Sequence, residues 1–444
     1  MLTGYSLLLV IALSIILIIL LTSKWKLHPF LALIIACFFV GFATGMPLTT
    51  LVYAIQEGFG GLMQYIGIIV IFGSVIGVFL EKSGGAMRIA HKIIALTGEG
   101  KIIPAISLIG AVVSVPVFCD SGFILLSGLA DKLSKLGKTT KASLSLALAT
   151  GLYTTHTLIP PTPGPIAAAG NIGASGYLGT IIITGLCFAI PILAITWFFA
   201  NRMGKNIVTE EVLDAENSQD DDLVLPSFGR SMFPVILPIV LIAFGTISNF
   251  AGIEIEIMDF ISNPLVAIFL GAVAAMLLLK PKCGQGSKWF IEAIKVSGPI
   301  LIITGAGGAF GGVLKATPLK DFIAEWMSAG NSGDLIILAS IFLIAAVLKT
   351  AQGSSTSAMV ITSSLLASII PTLGWEQPLQ FALAVMAIGG GAMTVSHFND
   401  SYFWVVSQFS GMSAKDTNRS FSLITGIQGL TVLALCIVTW VLFI

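Results

Sequence analysis

The sequence predicts an all-α polytopic membrane protein with about ten transmembrane helices in two inverted-topology repeats, each with a re-entrant hairpin and a discontinuous helix. The first observation is composition: 56% of the 444 residues are hydrophobic, only 10% are charged, and the mean hydropathy is +1.00. Soluble domains carry charge on roughly a quarter of their residues, so this composition excludes an ordinary soluble protein. The second observation is a series of apolar segments of spanning length, and the third is that polar breaks interrupt both halves at matching places.

Apolar segments long enough to cross a bilayer divide evenly between the two halves of the chain. The first has no basic residue before it, and Lys24 and Lys26 follow it, so we interpret it as a retained span and not as a cleaved signal peptide. The predicted spans are 5–22, 29–45, 59–80, 142–159, 177–199, 231–250, 264–279, 296–314, 379–396 and 420–443.

Two further apolar stretches, 102–130 and 333–371, are broken in the middle by Gly, Ser and a charged or amide residue. Irregular backbone at membrane depth is tolerated only where it is buried in protein or lines a cavity. We therefore predict that each stretch forms a hairpin that enters the bilayer and returns on the same side. Two amphipathic stretches, 85–97 and 318–329, are predicted to lie along the membrane interface.

The two halves of the chain resemble each other in order and in detail. Gly73, Gly77 and Leu80 align with Gly307, Gly311 and Leu314. Each copy then continues with a polar break (VFCDSGF at 117–123, KTAQGSSTSA at 349–358) and with a second break that contains a histidine (THTLIPPTPGP at 155–165, SHFNDSYFW at 396–404). We predict repeats over 1–200 and 231–444, with discontinuous helices at 142–170 and 379–410.

Charge sets the predicted orientation. If the loop at 23–28 is cytoplasmic, inside loops hold 19 of the 22 basic residues, which agrees with the positive-inside bias. Both termini then lie outside, and five spans per half make the second repeat enter the membrane in the opposite sense from the first. The segment 201–230, which contains seven acidic residues in TEEVLDAENSQDDD, is predicted to be a solvated cytoplasmic linker.

The breaks in the helices are the predicted site. Pro160 and Pro161 stop a helix, and Gly164 lets the backbone approach a ligand closely. A helix that restarts after such a break directs free N–H groups into the gap, which favours an anion. The candidate binding residues are Ser121, Thr155, His156, Gly164, Lys349, Gln352, Gly353, Ser354, Ser355, Thr356 and Asn399. The alternative is that the hydroxyl groups only satisfy carbonyl groups left open at the hairpins.

Ionisable residues within apolar segments are costly and are therefore functional candidates. Asp120 lies at the first hairpin break, His156 and His397 lie beside the two helix breaks, and Asp400 follows closely. These four are the candidate sites for a coupling proton. Two structural alternatives stay open: the histidines can be satisfied helix residues, and Asp120 can form an ion pair with Lys349 that offsets their mutual desolvation.

At these motifs the chain resembles the gluconate permease family of bacterial inner-membrane proton symporters. The resemblance also covers HPFLALIIACFFVGFATGMPL (28–48) and EKSGGAMRIA (81–90), and it extends nearly end to end. It implies proton-coupled uptake of a small sugar acid or hydroxy acid on the inverted-repeat fold of the ion transporter superfamily, in the bacterial inner membrane, with a homodimer as the expected assembly. Carried over by position, the site would include Asp120, His156, Pro160, Pro161, Gly164, Gln352, Gly353, Ser354, Thr356, His397, Asn399 and Asp400.

The chain departs from the gluconate members at three positions. Asp120 stands where they commonly have Glu, Lys349 where they have Arg, and Thr162 where they have a second His. A lysine does not form the bidentate pair of hydrogen bonds that an arginine forms with a carboxylate. The substrate therefore stays open among gluconate, glycerate, D-serine, fructuronate and similar acids.

Other classes of function find less support in the sequence. A sodium-coupled carboxylate symporter is the nearest alternative, because hydroxyl and carbonyl groups at hairpins also ligate sodium. A membrane-embedded enzyme is a weaker alternative, since the sequence has no HExxH, Walker loop or nucleophile elbow. We expect no cofactor, no metal and no nucleic-acid partner. The expected partners are the substrate anion, protons and membrane lipid.

Overall fold

The described part of the chain is helical and contains no β-strand. The structure, a computed structural model, describes residues 1–97, 101–136, 139–209, 225–250, 255–279, 285–319, 333–398 and 400–444. Before the linker the helices are α1 Gly4–Ile19, α2 Pro29–Ala43, α3 Leu48–Lys82, α4 Gly85–Thr97, α5 Ile102–Val113, α6 Cys119–Leu136, α7 Lys141–Leu158, α8 Pro163–Asn171 and α9 Leu178–Gly204. After it they are α10 Phe228–Phe250, α11 Glu256–Ser262, α12 Pro264–Leu278, α13 Gly286–Lys315, α14 Asp334–Gln352, α15 Ser355–Leu373, α16 Pro378–Met393, α17 Ser401–Ser410 and α18 Ala414–Phe443.

Within the described residues, seven helices are long and apolar enough to cross a membrane, or up to nine if each of two bent pairs counts as one span. The predicted all-helical multi-pass membrane fold is therefore confirmed. Two of the predicted spans, 29–45 and 379–396, coincide with the shorter apolar helices α2 and α16. The predicted amphipathic stretch 85–97 is a helix, α4, which buries Ile89 and Ala90.

The helices of the two halves occur in the same order along the chain. A long helix (α3 or α13) precedes a helix pair (α5–α6 or α14–α15), then an interrupted pair (α7–α8 or α16–α17), then a second long helix (α9 or α18). The opposite membrane orientation of the two halves stays a prediction. Half of the linker predicted at 201–230, residues 210–224, and most of the interfacial stretch predicted at 318–329 lie outside the described residues.

The long helices α3 and α13 pack against each other and join the two halves. Their crossing is made possible by glycines: a Cβ atom added at Gly58 would overlap the carbonyl oxygen of Gly308, and one added at Gly308 would overlap that of Gly58. Small residues that let backbones approach closely are a common means of packing helices in membranes, where water does not drive their association.

The helices are interrupted where the sequence predicts breaks. Residues 114–118 separate α5 from α6, and residues 159–162 separate α7 from α8. In the second half, Gly353 ends α14 with a positive φ of 76°, and the hydroxyl of Ser354 caps α15 by accepting from the Ser357 amide at 3.3 Å. Residues 394–400 separate α16 from α17. Re-entry of the two hairpins on the same side of the bilayer stays a prediction.

Candidate functional site

A buried ion pair lies where the second hairpin meets the second helix break. Lys349 Nζ is 2.5 Å from Asp400 Oδ2, and the two residues are only 1% and 3% exposed. Lys349 lies in the last turn of α14, and Asp400 directly precedes α17. Both charges are costly to bury alone, so their mutual attraction and their hydrogen bonds are what permit them here.

Further donors occupy both carboxylate oxygens of Asp400. Oδ2 also accepts a short hydrogen bond from the Ser396 hydroxyl, and Oδ1 accepts from the Tyr402 amide at 3.0 Å, which makes Asp400 the N-cap of α17. Ser396 is itself held, because its amide donates to Thr425 Oγ1 at 3.0 Å. Asp400 is therefore fixed by three different groups.

The ammonium group of Lys349 has partners besides Asp400. Nζ donates to the carbonyl oxygen of Gly353 at 3.2 Å, and it lies 5.6 Å from the centre of the Tyr153 ring. Tyr153 is buried, and its hydroxyl donates a hydrogen bond to the carbonyl oxygen of Ala392 at 3.4 Å. Lys349 thus ties the second hairpin to α7 as well as to the start of α17.

The structure pairs Lys349 with Asp400, and the alternative that its partner is Asp120 is wrong. Asp120 is half-buried in the first turn of α6, beside the thiol of Cys119, whose Sγ is 3.8 Å from Oδ1, and the side chain of Ser401. The sequence could not choose between the two acids, because both lie beside polar breaks. Asp400 prevails because Ser396 and the Tyr402 amide also stabilise its charge.

Two predicted binding residues carry buried polar atoms that have no hydrogen-bond partner among the described residues. They are Nδ1 of His156, whose ring lies 6.1 Å from that of Phe118, and both amide atoms of Gln352 at the end of α14. A buried polar group without a partner is unfavourable by about 1–3 kcal/mol. Such groups are therefore candidates for contact with a bound polar molecule.

The other predicted binding residues differ in the contacts that they already make within the protein. The Thr155 hydroxyl donates to the Ala111 carbonyl oxygen at 2.8 Å. This hydroxyl therefore satisfies a backbone carbonyl group, which is the structural alternative to a binding role. Gly164 is buried against Met359, and a Cβ atom there would lie 2.6 Å from Met359 Sδ. Ser121, Ser354, Ser355 and Thr356 are half-buried at the first turns of α6 and α15.

The second predicted histidine, His397, also has a polar contact within the protein. His397 is half-buried, and its Nε2 lies 3.0 Å from the carbonyl oxygen of Thr350, so it joins the second helix break to the second hairpin. Asn399, which the sequence also predicts for the site, lies outside the described residues.

Sequence reasoning missed a group of residues around the ion pair and Asp120. They carry hydroxyl groups, and most lie inside helices, where little in the sequence distinguishes them from core positions. Tyr402 shows this: its ring lies 5.3 Å from that of Tyr153, and its hydroxyl donates to the Ala149 carbonyl oxygen at 2.9 Å. The residues of this group are Tyr153, Ser396, Ser401, Tyr402, Ser422 and Thr425. Three of them had a signal, since Ser396, Ser401 and Tyr402 lie in the SHFNDSYFW motif.

The structure therefore gathers polar groups from both halves around one buried ion pair. The first half supplies Asp120 and His156, and the second supplies Lys349, Gln352 and Asp400. Within the described residues, no group of three His, Cys, Asp or Glu side chains could hold a metal ion. Such an arrangement can bind a small polar molecule and can exchange a proton at a carboxylate or an imidazole.

A solved structure shares the fold. The Alcanivorax borkumensis YdaH transporter matches with a TM-score of 0.68 at 13% sequence identity, and the match covers 93% of this chain and 98% of that one. At this low identity the likeness extends to the fold alone, which is that of a membrane transporter.

Relatives of known sequence are much closer than this. The chain is 32% identical to the protein named gluconate permease of Pseudomonas aeruginosa over 91% of both chains. It is 30% identical to the D-serine transporter DsdX of Escherichia coli over 95% of both chains. The sequence model of the GntP family permease matches residues 6–442. This protein therefore belongs to the GntP permease family, a family of transporters and not of enzymes.

Proposed function

We propose that this permease couples proton entry to the uptake of gluconate or a related small hydroxy acid across the bacterial inner membrane. The observation that carries this proposal is that buried polar atoms of His156 and Gln352 have no hydrogen-bond partner in the described part of the chain and lie close to the Lys349–Asp400 ion pair. Polar groups buried without partners favour a ligand that hydrogen-bonds them when it binds. Hydroxyl and carboxylate groups of a small sugar acid supply both donors and acceptors.

Binding of the substrate carboxylate would use the N–H groups at the start of α15 and the Gly164 N–H in the first turn of α8, where Pro163 and Pro165 have no N–H to donate. Both helices begin directly after a break, with Thr162 and Ser354 at their N-cap positions. Helix N-termini attract anions through their free amide groups and their dipole. The hydroxyl groups of the substrate would contact Gln352, Ser354, Ser355 and Thr356, with Asn399 as a further candidate.

The repeats over 1–200 and 231–444 would allow access to the site from each side in turn. In this proposal the two halves have opposite orientations, both termini lie outside, and the hairpin-bearing regions move around the site. The proton would bind at Asp120, Asp400, His156 or His397. We expect a homodimer in the membrane, as the wider superfamily resemblance implies.

Uptake by the purified protein in liposomes tests the function. A panel of D-gluconate, D-glycerate, D-fructuronate and D-serine would be offered under an imposed proton gradient, and again under a sodium gradient without a proton gradient. We expect accumulation of at least one acid, recovered chemically unchanged, under the proton gradient only. Accumulation that needs sodium and ignores the proton gradient would support sodium coupling instead, and no accumulation of any acid would contradict the proposed substrate class.

A further inference from the structure

We infer that Asp120 carries the coupling proton, whereas Lys349 and Asp400 form a permanently charged pair that positions the site. This inference rests on the proposed function and assigns the roles of its ionisable residues. It follows from a comparison of the hydrogen-bond and ion-pair partners of the two carboxylates.

The partners of Asp400 stabilise its charged form. Its Oδ2 accepts from Lys349 Nζ and from the Ser396 hydroxyl, and its Oδ1 accepts from the Tyr402 amide. A proton on Oδ2 would displace one of its two donors, and a proton on either oxygen would leave the buried Lys349 ammonium group without a counter-charge. Loss of one partner of a buried pair is strongly unfavourable. Asp400 is therefore a positioning residue.

Asp120 differs from Asp400 in its burial, its hydrogen-bond partners and its nearby charges. It is half-buried, and its described side-chain neighbours are a weakly polar thiol and a hydroxyl, Cys119 and Ser401. No basic side chain in the described residues lies within ion-pair distance of it. The charged and titratable groups that face it are Cys119 on its own helix, and Lys349, Asp400 and Tyr402 from the second half. His156, whose ring is near Phe118, adjoins the same region from α7.

The charges of the site explain why a proton must travel with the acid. Lys349 and Asp400 cancel, so with neutral His156 the empty site carries the single negative charge of Asp120. A monoanionic substrate would add a second negative charge in a region where like charges repel strongly. When Asp120 takes up one proton, the loaded site has the same net charge as the empty one. The expected coupling is one proton for each monoanionic acid.

Asp120→Asn imitates the protonated residue and separates binding from coupling. The experiment uses the full chain in liposomes and, from the panel above, the acid with the fastest counterflow, which is exchange of labelled for unlabelled acid without a gradient. We expect Asp120→Asn to retain counterflow within about threefold, to lose its dependence on pH, and to lose accumulation driven by the proton gradient. Asp120→Glu, which keeps a titratable group, should retain both activities in part.

Asp131→Asn is the matched control, because Asp131 lies on the same helix, where its partly buried carboxylate is 3.5 Å from Lys141. It should retain both activities. Asp400→Asn should lose counterflow and accumulation together, and the double variant Lys349→Met with Asp400→Asn should recover counterflow relative to Asp400→Asn alone. Size-exclusion profiles and melting temperatures establish that each variant is folded.

Two results would overturn the assignment of the proton to Asp120. One is full gradient-driven accumulation by folded Asp120→Asn, and the other is loss of its counterflow, since a mimic of the protonated residue must still bind the acid. Accumulation by Asp400→Asn at the unmodified rate would equally contradict the positioning role. Failure of the proposed function is distinguishable, because the unmodified protein itself would then show no counterflow or no response to the proton gradient.

Discussion

The side-chain amide of Asn171 donates hydrogen bonds to Ser363 Oγ at 2.8 Å and to the carbonyl oxygen of Val360 at 3.2 Å. Asn171 is the last residue of α8 in the first half, whereas Ser363 and Val360 lie in α15 in the second half. All three are buried. The second segment of one interrupted helix is thus bonded to the hairpin of the other half.

Replacement of Asn171 by Ala should destabilise the protein by about 1–2 kcal/mol, because hydrogen bonds between membrane helices contribute on average about 0.6 and up to about 1.7 kcal/mol, and buried acceptors would be left unpaired. The free energy of unfolding in detergent measures this. A double-mutant cycle with Ser363→Ala should show a coupling energy above zero. Strict additivity of the two single changes would contradict a direct interaction.

The Lys349–Asp400 pair predicts that single substitutions are worse for stability than their combination. Lys349→Met or Asp400→Asn alone should each cost about 3–5 kcal/mol, since each leaves one buried charge unpaired. The double variant should be more stable than either single variant. Unfolding free energies of the three proteins in detergent check this order. The surface variant Lys82→Met, which breaks an exposed pair with Glu292 at 2.9 Å, should change stability by less than about 1 kcal/mol.

The buried amide of Gln352 is expected to contribute to ligand binding and not to the stability of the ligand-free protein. Its amide atoms are buried and unpartnered among the described residues, so Gln352→Leu should leave the ligand-free melting temperature unchanged or raise it. The same change should abolish most of the stabilisation that a transported acid provides by binding the folded state. Thermal shifts with and without the acid measure both quantities. A large loss of ligand-free stability would mean that the amide has a structural role.

Gly151 and Gly128 form a matched pair of helical glycines with opposite expected responses. A Cβ atom at Gly151 in α7 would overlap the carbonyl oxygen of Ser107 in α5, whereas one at Gly128 in α6 would meet nothing within 4 Å. Gly151→Ala should destabilise by about 1–3 kcal/mol because the backbones must separate. Gly128→Ala should be neutral or stabilising by up to about 1 kcal/mol, as alanine favours the helix. Equal effects on the unfolding free energy would contradict the close packing of α5 and α7.

The proposed orientation predicts which side of the membrane each end of a half faces. Lys24 follows α1 and Lys315 ends α13, and both side chains are exposed. In a variant without the native cysteines, Lys24→Cys should react with a membrane-impermeant thiol reagent only from the inside, and Lys315→Cys only from the outside. Labelling of both positions from the same side would contradict the inverted arrangement.

The breaks and their order were predictable from the sequence because they depend on local chemistry. Proline removes a backbone donor at 160–161, and glycine at 353 permits the positive φ that ends α14. Apolar composition with few charges is sufficient for the membrane fold, since only helices with internally satisfied backbones are stable there. Asp120, His156, Lys349, Gln352 and Asp400 were identified for the same reason: polar side chains are conspicuous in apolar segments.

The partners of these residues were decided by the tertiary structure. Lys349 and Asp400 are 51 residues apart in the chain, and nothing local indicates that Asp400 and not Asp120 lies 2.5 Å from the ammonium group. Thr155 and Asn171 likewise donate hydrogen bonds to residues of other helices. The sequence alone does not reveal these partners. Composition and periodicity determine which segments enter the membrane. The choice among competing buried partners depends on how many donors converge on each group, and only the packed helices set that number.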